Sequence, residues 1–151
     1  MPSLFEALHE SHELQRTLCR RLLRIQDDLT ERASVFLELK RELEAHAAAE
    51  ERFLYAPILM NDGGLWSARH ALSEHHVIEE LTDDMSIRGK SGGAWMARAK
   101  KLSLKVHHHL REEERKFFKV AGRILGEREK ASLAKLYVKD YERMKKMLGG
   151  K

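Results

Sequence analysis

Proline, cysteine and long apolar runs are all scarce in this 151-residue chain, and each scarcity removes a class of protein. With only two prolines, long helices can run without the break that a missing amide donor imposes. The single cysteine, Cys19, has no partner in the chain for a disulfide. The opening Met1-Pro2-Ser3-Leu4-Phe5-Glu6 lacks the basic and apolar regions of an export signal, so the cytoplasm is the expected location. Nowhere do apolar residues approach the roughly 20 in succession that a membrane span needs, so no membrane partner is expected. A stripe of one charge is also missing. The 28 Lys and Arg are interspersed with 24 Asp and Glu for a net charge of +4, which argues against nucleic acid as a partner.

What is abundant points one way. The chain is 42% hydrophobic and 34% charged, dominated by Ala, Leu, Glu, Lys and Arg, the residues that lose least on entering a helix. An all-α protein is expected, and the length suits a single domain over residues 1–151. Nine histidines stand out against this background.

Turn chemistry divides the chain into five helices. Ser3-Leu4-Phe5-Glu6 reads as a capping box, starting α1 at about residue 4 and running it to about 27. Helix α2 spans about 31–60 and stops at Asn61-Asp62-Gly63-Gly64; α3 spans about 66–87 and stops at Arg88-Gly89-Lys90-Ser91-Gly92-Gly93. Helix α4 spans about 94–125 before Gly126, and α5 about 127–148. Four helices of similar length with short connections bury their apolar stripes most simply as an up-down-up-down bundle over about residues 4–125. The fifth is amphipathic, with Leu133, Tyr137, Tyr141, Met144 and Leu148 on one side, a face suited to packing along the bundle or to forming a homodimer.

Polar residues interrupt the apolar seams. In α2 the seam reads Leu39, Leu43, His46, Glu50, Phe53, Pro57; in α4 it reads Trp95, Ala99, Leu102, Val106, His109, Glu113, Lys116, Val120. Both contain His-x-x-x-Glu-Glu-Arg followed by aromatic residues, an internal repeat. The stripe of α1 (Phe5, Leu8, His12, Gln15, Cys19, Leu22) and that of α3 (Ala71, His75, Ile78, Thr82, Met85) each present one His. Since i and i+4 lie on one helical face, the bundle interior receives His12, His46, Glu50, His75, His109 and Glu113.

Six such groups buried together cost several kcal/mol each without a partner. A pair of metal ions roughly 3.5–4 Å apart, bridged by the two carboxylates, would supply one, and imidazole with carboxylate suits iron, manganese or zinc. A metal-free hydrogen-bond network of the same residues would leave several lone pairs and protons unsatisfied. A lone His-x-x-x-Glu is ordinary surface chemistry; two copies in equivalent buried seams are not. The remaining histidines, His9, His70, His107 and His108, fall on solvated faces. His76 with Glu80 competes with His75 under a small rotation of α3, and the more apolar stripe favours His75. Glu79, one turn beyond His75, is a further candidate ligand. Cys19 reads as a small buried hydrophobe, and Phe53, Tyr55, Phe117 and Phe118 as core and lining.

These residues resemble the hemerythrin-like HHE cation-binding domains across about residues 4–121. The likeness is carried by Ser11-His12, by His46-x-x-x-Glu50-Glu51 with Leu54-Tyr55, by Glu74-His75-x-x-Ile78, and by His109-x-x-x-Glu113-Glu114 with Phe117-Phe118. It implies a non-haem di-iron centre, oxo- or hydroxo-bridged, held by His12, His46, Glu50, His75, His109 and Glu113, with Glu50 and Glu113 bridging. The oxygen carriers of that family have a second His four residues after the α3 His, where this chain has Glu79. Their α4 carboxylate follows its His by five residues instead of four, and their usual proline after the Leu-Tyr pair is displaced here to Pro57. The resemblance therefore implies binding or sensing of O2, NO or peroxide at an open iron position. Its alternatives are a di-iron enzyme that decomposes peroxide or oxidises ferrous iron, and an interaction module stabilised by iron.

Overall fold

A computed structural model describes residues 2–87, 89 and 92–149. Arg88, Lys90 and Ser91 of the expected α3–α4 turn lie outside the described residues. Among the described residues the secondary structure is entirely helical. Helix α1 is Leu4–Arg24, α2 covers residues 29–59, α3 is Leu65–Ile87, α4 covers residues 92–124 and α5 is Glu127–Gly149. Among the described residues no helix is long and apolar enough to cross a membrane.

The ends follow local chemistry. The Ser3 hydroxyl accepts from the Glu6 amide and the Glu6 carboxylate accepts from the Ser3 amide, both at 3.2 Å, closing the capping box. Helix α1 stops at Arg24, three residues before the expected boundary, where Ile25 turns extended. Helix α2 begins two residues early because Asp28 accepts from the Glu31 amide at 2.9 Å. Arg32 reaches back to donate to the Gln26 carbonyl and so occupies an acceptor left free at the end of α1.

Helices α1 to α4 run up-down-up-down, and the core has two apolar halves. One holds Leu18, Leu22, Val35, Leu39, Trp95 and Leu102 among others; the opposite half holds Leu4, Leu8, Leu54, Ile58, Ala68 and Phe117. Each helix crosses from one half to the other through its polar residues. Leu8 and Leu18 flank His12, Leu43 and Leu54 flank His46 and Glu50, Ala71 and Ile78 flank His75, and Val106 and Phe117 flank His109 and Glu113. Cys19 is buried in the first half, and burial pushes its thiol up to about 12, so it behaves as an inert apolar group.

The seams depart from expectation beyond the polar residues. Glu51–Tyr55 and Glu113–Phe117 are single π-helical turns inside α2 and α4. A π turn takes one residue more to complete than an α turn, so buried positions move one residue on. Leu54 and Ile58 are buried where Phe53 and Pro57 were expected, and those two are half-buried. In α4, Phe117 and Ala121 are buried, Lys116 is exposed and Val120 is half-buried. The shift places aromatic and small residues inside and takes a lysine out.

Helix α5 lies along the bundle against α2 and α1. Ala134 and Tyr137 are fully packed, with Leu133, Val138 and Tyr141 beside them. Glu42, wholly buried on α2, anchors it. Its carboxylate accepts from the Tyr141 hydroxyl at 2.6 and 2.7 Å, from the Lys145 ammonium at 2.6 Å and from the Ser11 hydroxyl of α1. A buried carboxylate with that many donors is satisfied rather than strained. Of the two uses open to the apolar face of α5, packing along the bundle is the one observed.

Gly64, in the turn between α2 and α3, has no room for a side chain. A Cβ there would stand 2.7 Å from the Ile58 carbonyl oxygen and 3.0 Å from Ile124 Cδ1, whereas at Gly89 it would meet nothing within 4 Å. Gly64→Ala is expected to cost about 1–3 kcal/mol in urea unfolding and Gly89→Ala less than about 0.5 kcal/mol. Equal midpoints for the two variants would contradict this account of the turn.

Candidate metal centre

Where the two core halves meet, the four bundle helices deliver one layer of titratable side chains. His12, His46, Glu50, His109 and Glu113 are at most 3% exposed, and His75 is 9% exposed. They form two overlapping groups: His12, His46, Glu50 and Glu113, and then Glu50, His75, His109 and Glu113, with candidate ligand atoms within 4.8 Å of one another in each. The carboxylates belong to both groups and the histidines divide two and two.

Distances set the inner face. His46 Nε2 and His75 Nε2 each lie 3.1 Å from Glu50 Oε1. His12 Nε2 lies 3.2 Å from Glu113 Oε1, and His109 Nε2 lies 3.6 Å from Glu113 Oε2. The imidazoles approach in pairs, with ring centroids 5.0 Å apart for His12 and His46 and 4.8 Å apart for His75 and His109.

Every outer nitrogen is taken. His12 Nδ1 lies 2.7 Å from Glu114, His75 Nδ1 2.8 Å from Glu51, and His109 Nδ1 2.9 Å from Glu74. His46 Nδ1 lies 2.8 Å from the hydroxyl of Tyr137, on α5. An imidazole that donates from Nδ1 to a fixed acceptor presents the lone pair of Nε2 on its other side, the arrangement that orients histidines toward a metal. The partners pass around the bundle: α2 supplies Glu51 to α3, α3 supplies Glu74 to α4, and α4 supplies Glu114 to α1. The remaining step, from α1 to α2, has Ser11 at the position that Glu74 holds in the repeat. Ser11 is too short, its hydroxyl bonds Glu42, and Tyr137 stands in its place.

The interior is left with unmet valences. Among the described residues, the buried atoms without a hydrogen-bond partner include His12 Nε2, His46 Nε2, His109 Nε2, both carboxylate oxygens of Glu50 and Glu113 Oε1. Six orphaned polar atoms in one layer of a core are far from the ordinary state of buried groups. All are lone-pair bearers of the hard and borderline type that divalent transition metals accept. The residues therefore fit a metal site.

Protonation in the metal-free protein reports the same crowding. Burial alone would push His12 down, but the carboxylates of Glu113 and Glu114 beside it raise it to about 9; His75, likewise buried, is raised to about 10 by Glu50 and Glu51. Burial would raise Glu50, yet the charge of His46 and the neighbouring groups hold it well below the usual carboxylate range. Glu113 is raised by burial and by the neighbouring charge of Glu50. Without cations, the cluster balances two carboxylates with protons placed on imidazoles.

Tyr55 completes the wall. Its hydroxyl donates to Glu113 Oε2 and lies 3.2 Å from His75 Nε2. Burial and the charges of Glu113 and Glu50 raise its pKa well above the phenol range, so it stays protonated. Phe117 packs on Tyr55 with centroids 5.0 Å apart, and Phe118 stacks on His12 at 5.8 Å. A cavity of about 270 Å³ opens beside His46, His75 and His109, bounded also by Gln15, Leu43 and Ile78.

All six residues singled out in the sequence are brought together. His76 is exposed and pairs with Glu80 at 3.2 Å, away from the layer. Glu79 is exposed; it borders the cavity but joins neither group. The outer partners escaped the sequence reading. Glu51 and Glu114 had a signal, since each repeats directly after a buried Glu, and Glu74 directly precedes His75. Tyr137 had none, because its partner lies 91 residues away on another helix.

No curated protein and no solved structure matches the chain at a significant level. The family model of the hemerythrin HHE cation binding domain matches residues 3–121, the bundle and its whole His/Glu layer but not α5. With its two overlapping His/Glu groups able to hold metal, the chain belongs to the hemerythrin HHE cation-binding domain family.

Proposed function

We propose that this protein is a non-haem di-iron protein that binds or senses a small ligand, O2, NO or peroxide, in the cavity beside His46, His75 and His109. The observation that carries this is the set of orphaned inward atoms on His12, His46, His109, Glu50 and Glu113. In this reading His12 and His46 would hold one ion and His75 and His109 the other, with Glu50 and Glu113 available to both. Manganese or zinc would fit the same donors. Two ferrous ions at these positions would supply electrons and an open coordination position to the ligand.

The chain's own groups then have distinct tasks. Glu114, Glu51, Glu74 and Tyr137 fix the imidazole rings through Nδ1. Phe117, Phe118 and Leu54 exclude bulk water. The Tyr55 hydroxyl holds a proton beside the His75/His109 position, where it can donate to an incoming oxygen ligand. That proton also favours a second reading, decomposition of peroxide, which sustained O2 release on adding peroxide would reveal.

Anaerobic ferrous loading is expected to give two irons per chain and an absorption spectrum that changes when O2 or NO is admitted; one iron or fewer, or an unresponsive spectrum, would overturn the reading. His46→Ala and Glu113→Ala are expected to lower metal affinity at least about 100-fold, with His9→Ala and His76→Ala retaining both ions. Four variants with equal metal content would contradict the ligand set.

Tyr137→Phe keeps the ring in its packing site but removes the hydroxyl from His46. It is expected to weaken metal binding about tenfold, to alter the spectrum of the loaded protein and to destabilise the metal-free one by about 1–3 kcal/mol, because the buried Nδ1–H of His46 loses its acceptor. An unaltered spectrum and affinity would show that the hydroxyl only fills space.

Acid and base should act oppositely on the two forms. His12 and His75 are raised above 6.5, so their contribution to the metal-free fold is complete below 6.5 and is lost as pH rises through about 9 to 10. Glu74 and Glu114 are lowered to about 2, each by hydrogen bonds from a histidine and a cation that outweigh its burial, so their contribution is complete above 4.5 and is lost as pH falls toward 2. Metal-free protein is therefore expected to melt highest between 4.5 and 6.5. Bound ions need neutral imidazoles, so the loaded form should gain relative stability with rising pH and release metal in acid. Thermal melts of both forms across pH would show two displaced profiles; superimposable profiles would refute the linkage.

A further inference from the structure

Outside the buried layer, one face of the bundle gathers a second set of metal-ligating groups. His70 of α3 and His108 of α4 turn their Nε2 atoms onto the two oxygens of Glu112, at 2.8 and 3.0 Å. Both nitrogens also lie 3.7–3.8 Å from Oε2 of Glu74. The histidines are 53–55% exposed and Glu112 is 23% exposed, so the cluster is open to solvent.

Its position is the informative feature. A cavity of about 230 Å³ has His70 and Glu112 on its wall, and His109 and Glu113 on the same wall. It thus sets the outer cluster beside two residues of the inner layer, His109 and Glu113, whose Nε2 and Oε1 atoms lie buried just behind that wall. Glu74 joins the two sites directly, with one oxygen on His109 Nδ1 and the other toward the outer cluster.

From this geometry we infer that His70, His108 and Glu112, assisted by Glu74, form an outer divalent-cation site that loads the buried centre through the adjoining cavity. The inner end of this route rests on the reading of the buried layer as a metal centre. Metal bonds of roughly 2.0–2.2 Å place neighbouring ligand atoms about 3 Å apart, the separation that both His–Glu112 pairs already have. Two imidazoles and a carboxylate suit ferrous iron, zinc or cobalt. Lys105 lies 3.2 Å from Glu74 Oε2, so that among the described residues Glu112 is the carboxylate of the cluster without a Lys or Arg ion pair. It also weakens the outer site, as suits a site that must release its ion.

A contrasting group on the opposite side shows what disqualifies a similar cluster. His9, His12 and Glu114 also converge, but Arg16 bonds both Glu114 oxygens at 3.1 and 2.8 Å and already neutralises that carboxylate. A divalent ion there would have to displace a half-buried guanidinium.

The test compares the intact protein with the His70→Ala/His108→Ala double variant, whose altered residues are exposed. Anaerobic titration with Co(II), read by its visible absorption, is expected to show two tightly held ions in both proteins and a third, weaker one in the intact protein only. Loading with ferrous iron is expected to slow about tenfold in the double variant, since the arriving ion loses two of its outer ligands and is held there at least about tenfold more weakly, with the final two irons retained. A third ion that persists in the variant, no third ion in the intact protein, or loading rates within about twofold would overturn the outer site. Loss of the two tight ions in the intact protein would instead refute the buried centre, and the outer site would then stand or fall on the remaining weak ion.

Discussion

The fold is organised around a layer of imidazoles and carboxylates placed where a bundle of this size would otherwise have continuous apolar packing. A neutral polar group in such a place needs a hydrogen bond and a charged one needs a counter-charge. Each buried imidazole meets half of that requirement outward, through Nδ1. Three use a carboxylate from the next helix, and these outer bonds lock the helices in register because each spans two of them. The inward half is left to whatever occupies the centre, so the layer is complete as a scaffold and incomplete as a core. The apolar halves on either side supply the folding energy that holds it in that state.

The fourth outer bond breaks the symmetry of the repeat. With Ser11 where Glu74 stands in the second half, one histidine would lack an acceptor, and a buried Nδ1–H without a partner costs about 1–3 kcal/mol. The hydroxyl of Tyr137 fills the gap from outside the stretch that matches the family. A phenol carries no full charge, so His46 is the one imidazole whose outer partner is neutral. The two overlapping His/Glu groups thus differ in electronic character: His75 and His109 are both backed by carboxylates, whereas His12 and His46 are backed by one carboxylate and one phenol. Helix α5 is in this sense part of the centre, held there by the satisfied charge of Glu42.

Much of this was legible in the sequence because helical periodicity is a local property. The five helices, the capping box and the inward set His12, His46, Glu50, His75, His109 and Glu113 all follow from spacing along single helices. The choice of His75 over His76 came from the apolar character of the stripe, and the structure places His76 on the outside. What spacing could not give were contacts between elements distant along the chain, Tyr137 with His46 above all. Glu51 and Glu114 lay in plain view within the repeat, but their reach to His75 and His12 depends on how neighbouring helices are turned.

The seam failed at one kind of place, and the failure carries information. A strict 4-3-4-3 seam ran through Lys116 and passed over its neighbour Phe117, which is the buried one of the two, an assignment that conflicts with the cost of burying an unpaired charge. The π turn resolves that conflict by adding one residue at the end of each His-x-x-x-Glu unit, starting at Glu51 in α2 and at Glu113 in α4. The two turns start within one residue of equivalent points, so they are a property of the repeat and not an accident of one helix. Wide turns cost hydrogen-bond quality and tend to appear where a side chain must be re-aimed. Here the turns let a Glu at each site face the centre while the next Glu reaches sideways to a neighbouring histidine. Two adjacent carboxylates on one helix can then do different work, one shared at the centre and one orienting a ring.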